Sequence, residues 1–403
     1  MMENQTKDKI TFKIAFKKLK SSVYYDKTQL ILRNDIVRYE QNSKDKIDSK
    51  LESLCTQFND NNQFKKLQKA IINSISISAF PKKLNKSQTP GVIINKHNSQ
   101  TTVNQNQYFI DMCVEGHILG VVWLMTIGYK LDKLVYEKSY GNRIRKKLIN
   151  ELSDKPTFSP YLFEPYFMQY ESWRDTALDE AKKYLHQKND VMILTMDLKR
   201  YFYSVVVTQN AFDKMLEDAG IDKSDEANCG LVKLNDLMYE IVNTYAEQFG
   251  EEFENRNILP IGFLPSNVIS NWCLRNLDKA IIDGWNPAFY GRYVDDILIV
   301  DKIEPGSKIF NLIRSEPKKV NVDFIMDYYT EKCCKWYDRN KDATSCKGLF
   351  FKCDQSGYPL SNPDANDVYY RVNFNFNPTI PDTKSKLIVQ NEKMKLFYFL
   401  EGE

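Results

Sequence analysis

Histidine is scarce in this chain: His97, His117 and His186 are the only three, far apart among 403 residues. That gives little support to an imidazole metal site or a Ser-His-Asp triad. Paired Cys-x-x-Cys spacing is missing as well, so the eight cysteines read as the reduced thiols of a cytoplasmic protein. Cys333, Cys334, Cys346 and Cys353 have the wrong spacing for a zinc knuckle. No apolar run approaches the roughly 18 residues of a membrane span, and Met1-Met2-Glu3-Asn4-Gln5 carries no signal-peptide core. Neither a membrane partner nor an internal repeat is expected.

Charge is present in both signs but unevenly. The net charge is +3, yet residues 1–100 hold 19 Lys and Arg against 9 Asp and Glu. The remainder holds 37 against 44. A basic N-terminal portion beside an acidic body suits a protein that grips a nucleic-acid backbone, and a solvated basic helical surface would give the same count.

Two adjacent carboxylates stand out. Ala288-Phe289-Tyr290-Gly291-Arg292-Tyr293 leads into Val294-Asp295-Asp296 and then Ile297-Leu298-Ile299-Val300. β-Favouring residues flanking a short turn-tolerant centre predict a hairpin with the acids at its bend. Like charges there repel, and partial burial raises the cost. A divalent cation would turn that liability into a site, and hard oxygen ligands suit Mg²⁺ or Mn²⁺. An exposed Asp-Asp turn is the plain alternative.

Upstream, the run Val191 to Met196 delivers Asp197 at a predicted strand end, followed by Leu198-Lys199-Arg200-Tyr201-Phe202-Tyr203-Ser204. Between the acid sites lies Leu259-Pro260-Ile261-Gly262-Phe263-Leu264-Pro265-Ser266-Asn267, which opens a helix predicted over Val268 to Ile282. Ser266 or Asn267 is its candidate cap, and Gly262 permits close approach of backbone to a ligand.

Strand-Asp-aromatic, Leu-Pro-x-Gly loop and helix, then Tyr-x-Asp-Asp hairpin: in this order the chain resembles motifs A, B and C of a reverse transcriptase palm, over roughly residues 110–400. The resemblance implies an α+β fold of right-hand polymerase type. Fingers with a basic helical N-terminus would occupy 1–185, and a palm 186–403. Motif A falls at 191–204, an acidic helical insertion at 213–256, motif B at 259–282, motif C at 288–301 and a motif D/E region at 387–400. A thumb is expected beyond the chain end or from a partner.

The resemblance also implies roles. Asp197 and Asp295 would bridge two metal ions about 4 Å apart, which stabilise attacking and leaving oxygens together. The Leu198 carbonyl would assist, and Asp296 would be a weaker ligand. Phe202 would lie against the sugar and exclude a ribose 2′-hydroxyl, favouring dNTPs; a core aromatic is the other reading. Ser139-Tyr140-Gly141-Asn142-Arg143 matches a Ser-x-Gly-x-Arg signature, leaving Arg143 either a phosphate-binding group or half of an ion pair. Lys82 and Lys83 match a triphosphate-contacting segment of the fingers, or are solvated surface. Lys393, after a strand expected at 387–393, would protonate pyrophosphate as a general acid, or lie on the surface.

Two further features shape the expectation. Ile261 stands where many reverse transcriptases carry Gln, and Asn267 departs from their pattern too, which puts conventional template use in question. Divergence of this kind resembles the bacterial antiphage defence-associated, abortive-infection reverse transcriptases. Within that group the nearest likeness is the smaller subunit of a type-three system. Expected partners are dNTPs, a noncoding RNA template, the DNA product, and a second reverse transcriptase subunit or another copy of the chain. Template-independent or protein-primed synthesis is the enzymatic alternative, with 24 tyrosines on offer as primers. The non-enzymatic one is an idle reverse transcriptase fold that binds nucleic acid as a scaffold.

Overall fold

A computed structural model of the chain describes residues 2–26, 28–41, 44–84, 103–145, 160–250, 258–317, 320–321, 323–329, 349–360, 368–373 and 386–400. The N-terminal region is helical, as the amphipathic runs require: α1 Met2–Tyr25, α2 Leu30–Glu40, α3 Lys44–Asn59 and α4 Asn61–Asn73. The Asp60 side chain caps α4 by accepting from the backbone N–H groups of Asn62 and Gln63. Phe64, Leu67 and Ile71 then recur at helical spacing and are buried. Two antiparallel strands follow, β1 Ser76–Leu84 and β2 Val103–Asp111. Most of the polar stretch 85–107 lies outside the described residues, but its last five residues belong to β2.

The buried helix pair expected from Ile110 to Tyr136 is instead one run. Ile110 belongs to β2, and α5 Val114–Trp123 continues through a π-helical turn, Leu124–Gly128, into α6 Tyr129–Asp132. With no strong breaker in this apolar stretch, one wide turn absorbs the irregularity without ending the helix.

A four-stranded sheet carries the motifs. Its order is β4-β5-β3-β8, with β3 Asp190–Asp197, β4 Phe289–Tyr293, β5 Asp296–Ile303 and β8 Lys395–Phe399, every pairing antiparallel. The class is therefore α+β. Strand alternation sends Val191 and Ile193 to one face, against α7 Tyr166–His186. There they meet Trp173, Ala177 and Ala181, a stripe at four-residue spacing along α7. Met192, Leu194 and Met196 face the other way, into a cluster that runs from Phe12 of α1 to Met394. Burial on both faces explains why β3 reads as an unbroken apolar run rather than an alternating one.

Residues after Asp197 form a single turn, α8 Tyr201–Ser204. The acidic insertion supplies α9 Gln209–Asp218 and α10 Cys229–Glu247; Glu251 to Glu254 lie outside the described residues. The helix after the Leu-Pro-Ile-Gly loop begins earlier than expected. α11 spans Leu264–Cys273, and α12 Arg275–Ala280 follows. Pro265 sits in the first turn of α11, where its missing N–H costs nothing. Phe263 occupies the cap without a side-chain bond, so Ser266 and Asn267 are inside the helix rather than capping it. α13 Lys308–Ser315 follows β5.

Toward the C-terminus, β6 Phe350–Cys353 pairs with β7 Tyr369–Val372, the described part of the strand expected from Tyr369 to Phe376. Cys333, Cys334 and Cys346 lie outside the described residues. The strand expected at 387–393 is only a pair of isolated bridges, Ile388 to Arg371 and Val389 to Leu198. The ladder proper starts at Lys395, because a 3₁₀ turn over Asn391–Lys393 interrupts the extended chain. Among the described residues no helix is long and apolar enough to cross a membrane.

Candidate active site

The ladder between β3 and β5 sets Asp197 directly opposite Asp296. Tyr293 pairs with Asp296 across β4 and β5, which leaves Val294-Asp295 as a two-residue turn. The backbone of Asp295 also reaches Asp197's neighbour, since Leu198 N–H donates to the Asp295 carbonyl at 3.2 Å. Three carboxylates from two strand ends thus gather at one edge of the sheet. Leu198 itself is buried beside them.

The turn is under strain. Val294 has a φ of 58°, a left-handed conformation that a β-branched residue rarely adopts. Several contacts hold it. Arg292 donates through Nη1 to the Val294 carbonyl at 2.9 Å. Gly141 lies against the tip so closely that a β-carbon there would stand 2.6 Å from Val294 Cγ2 and 2.9 Å from its backbone nitrogen. The Gly141 loop is in turn fastened to β4, where Tyr140 N–H donates to the Arg292 carbonyl.

Burial and mutual repulsion disturb the acids. Asp295 is pushed up to about 6, chiefly by desolvation and then by the charge of Asp197, while Lys393 and Lys82 pull the other way. Asp296 is pushed up to about 7, again by desolvation first. Asp295 adds to this, and so does a hydrogen bond with Asp197 that favours the protonated form. Lys393 reaches across from the 3₁₀ turn, its Nζ 2.8 Å from Asp197 Oδ2. Burial alone would lower the pKa of Lys393, but the carboxylates outweigh it and raise the value, so the amine keeps its proton.

These residues form a hard, anionic donor set of the kind Mg²⁺ or Mn²⁺ prefers. The raised pKa values of Asp295 and Asp296 come first from burial and then from the neighbouring negative charge. Among the described residues, however, no three His, Cys, Asp or Glu side chains are closed into a ready chelate. In this arrangement Lys393 pairs with Asp197. The donor set fits such a cation once the side chains turn toward it.

At the turn that follows Asp197 opens a cleft of about 190 Å³ to which Phe202, Ile261, Gly262 and Asn267 all contribute. Phe202 is half-buried and stands edge-on to Tyr201, with ring centres 5.9 Å apart. Its carbonyl accepts from Leu259 N–H, which ties the turn after Asp197 to the Leu-Pro-Ile-Gly loop. Ile110 N–H donates to the Ile261 carbonyl, so β2 docks on the same loop. Gly262 has a φ of 89°, a backbone state that only glycine adopts freely.

The remaining residues expected at the site are placed less directly. Arg143 is committed elsewhere: Nε donates to Asp132 Oδ1 at 2.9 Å, and its other nitrogens donate to the carbonyls of Asp132, Tyr136 and Ser139. This is the ion-pair alternative, and it leaves the guanidinium little to offer a phosphate. Lys82 is exposed on β1, where the register shifts, and its charge is felt at Asp295. The Lys83 side chain lies outside the described residues.

Other residues matter that the motifs did not reveal. Arg292 is fully buried and pairs with Asp278 through Nε–Oδ1 at 2.7 Å and Nη2–Oδ2 at 3.0 Å. Its Nη1 also donates to Asn271 Oδ1 at 2.7 Å, and Asn271 Nδ2 donates to the Gly141 carbonyl at 2.8 Å. One buried network therefore joins the hairpin, α11, α12 and the Gly141 loop. The signal was present as a charged residue in an otherwise apolar strand, but its partner could not be picked from sequence.

Compared with known proteins, the chain matches no protein-family model and no curated protein.

Proposed function

We propose that this chain is a polymerase of reverse transcriptase type, adding dNTPs to a nucleic-acid 3′ end. The cross-strand pair of Asp197 and Asp296 with Asp295 at the adjoining turn is the observation that carries this reading. It is supported by the cleft that brings Phe202, from the turn after Asp197, together with Gly262, and by the order of the three motifs along the chain. Asp197, Asp295 and Asp296 would hold Mg²⁺ or Mn²⁺, which supplies charge neutralisation at the reacting phosphate. Lys393 keeps a proton beside Asp197 and can deliver it to the departing pyrophosphate. Phe202 presents an apolar ring against the sugar, where a 2′-hydroxyl would be buried without a partner. The fold is proposed as fingers and palm, with a noncoding RNA template and a role in bacterial antiphage defence. Those last two points rest on the family resemblance alone.

Primer extension tests the proposal. Purified protein is given Mg²⁺, one labelled dNTP at a time, and an RNA primer with or without template, beside Asp295→Ala. Incorporation by the wild type and its loss by at least 10³-fold in the variant is the expected result, as for removal of a group that organises phosphoryl transfer. No incorporation under any condition would return the chain to the scaffold reading. Ile261 brings no hydrogen-bonding side chain to the cleft, so the arm without template distinguishes copying from untemplated addition. Preference for NTPs would remove the sugar-gate role from Phe202.

A further inference from the structure

The cleft at Phe202 and Gly262 also contains a glutamine from outside the motifs. Gln29, in the connection between α1 and α2, lines it together with Phe202, Ile261 and Gly262. Its side chain is buried, with only 9% of the residue exposed. A β-carbon built on Gly262 would meet its Nε2 at 3.1 Å and its Oε1 at 3.3 Å. The amide thus lies over the bare Gly262 backbone, in space that another residue at 262 would take. Among the described residues it makes no side-chain hydrogen bond. Neither amide atom is sealed from solvent, so both open on the cleft, where a ligand can reach them.

The backbone of the connection is tied down by several bonds. Arg33 donates through Nη2 to the carbonyls of Val23, Tyr24 and Asp26, at 3.2, 2.8 and 3.0 Å. Asp26 Oδ1 accepts from both the backbone N–H and the hydroxyl of Thr28. Gln29 N–H donates to the Asp26 carbonyl, and the Gln29 carbonyl accepts from Arg33 N–H. So many bonds around one short connection fix the backbone from which the Gln29 side chain projects.

We propose that Gln29 is a specificity-determining residue that hydrogen-bonds the base of the nucleotide bound in this cleft. The inference rests on the polymerase reading and adds to it the residue that meets the base. Size agrees: a dry cavity of about 150 Å³ takes a benzene ring, so a cleft of about 190 Å³ has room for one heterocycle rather than a whole nucleotide. Chemistry agrees as well. An amide offers a donor and an acceptor side by side, the pattern that lets Gln pair with a base edge. Ile261 and Phe202 cannot do this from their side chains; Gln107 and Asn267 are the other amides in the lining, and Asn267 Oδ1 already accepts from Asn142 Nδ2.

Binding and turnover are measured separately on the full-length chain. Fluorescent analogues of all four dNTPs are titrated into wild type, Gln29→Ala and Gln29→Glu with Mg²⁺, and KM and kcat are measured for each dNTP. Gln29→Ala should weaken binding and raise KM unequally, by roughly 5- to 10-fold for the bases it contacts and within 2-fold for the rest, with kcat little changed. Gln29→Glu keeps the shape but replaces the NH₂ donor, and should alter the order of preference among the four. Equal effects on all four bases, or none, overturn the inference even if melting temperature falls. Wild-type protein that binds nucleotides with base-dependent loss in Gln29→Ala, yet incorporates none, would sink the polymerase reading and leave the base contact standing. Wild-type protein that binds no nucleotide removes both.

Discussion

Asp295 and Asp296, proposed as the cation ligands, make that role readable with a pH meter. Their carboxyls are held up to about 6 and about 7 by desolvation and by one another. Binding a divalent cation must then expel protons below neutrality, so cation affinity rises with pH through that window. Thermal stabilisation by Mn²⁺ or Mg²⁺ should therefore grow from pH 6 to pH 8 and be absent in Asp295→Asn. A shift independent of pH would mean that the cation binds elsewhere. Gly141 offers a second test at this scale. A methyl group there must collide with Val294 at the tip of the hairpin, where the backbone is already strained. Gly141→Ala should cut incorporation by roughly 10²-fold, as a displacement near 1 Å does. The dNTP KM should move little, because Phe202 and Gly262 are untouched.

Elements, rather than single side chains, decide where the acids point. The β4–β5 hairpin is fastened to α12 by Arg292 and Asp278, both fully buried, and Tyr290 OH donates to the same carboxylate at 2.6 Å. Removing only the cation leaves an unpaired buried charge, so Arg292→Met should cost about 3–5 kcal/mol in denaturant unfolding. Arg292→Met with Asp278→Leu should recover most of that loss, since two apolar side chains replace both charges. If the double variant is no more stable than the single one, the pair is needed for more than mutual neutralisation. The strands and most helices were legible because their apolar periodicity is strong: β3, the hairpin and the N-terminal helices all emerge from pattern alone. What the pattern missed depends on long-range geometry. α11 starts before its polar residues because Pro265 tolerates the first turn. The strand before Lys393 dissolves into two bridges, since its partners are distant residues, Arg371 and Leu198. The three aspartates were visible, but Gln29 was not, because a lone glutamine between two helices has no local signature. Its position is set by contact with Gly262, more than 200 residues away.

One hydrophobic cluster links α1 to the sheet and on to Met394, so a disturbance inside it is felt through the whole molecule. His117 of α5 sits in that interior, fully buried. Its Nδ1 has no hydrogen-bond partner, and its ring lies 6.2 Å from that of Phe263. Desolvation alone pulls its pKa down from 6.5 to about 4. The unfolded chain therefore takes up a proton as pH falls through 6.5, whereas the folded chain resists until about 4. Across that window the unfolded state binds more protons, so stability is full above 6.5 and drains away as the medium becomes acidic. The size of the drain is about 3 kcal/mol if the whole shift is realised. His117→Leu cannot take up a proton in either state. Its unfolding midpoint should fall less than that of the wild type between pH 6.5 and 4, while the two stay close at pH 7.5. The aspartates at the hairpin oppose this trend, because carboxyls raised in the folded state favour folding at low pH and weaken it as pH rises toward 7. Comparing His117→Leu with a His117→Leu/Asp296→Asn double variant separates the two contributions. The first substitution should flatten the acid limb. The second should lift stability near pH 8, where Asp296 would otherwise be charged beside Asp295 and Asp197. An acid limb unchanged by His117→Leu would assign the loss to other buried groups and leave this histidine a passive member of the core.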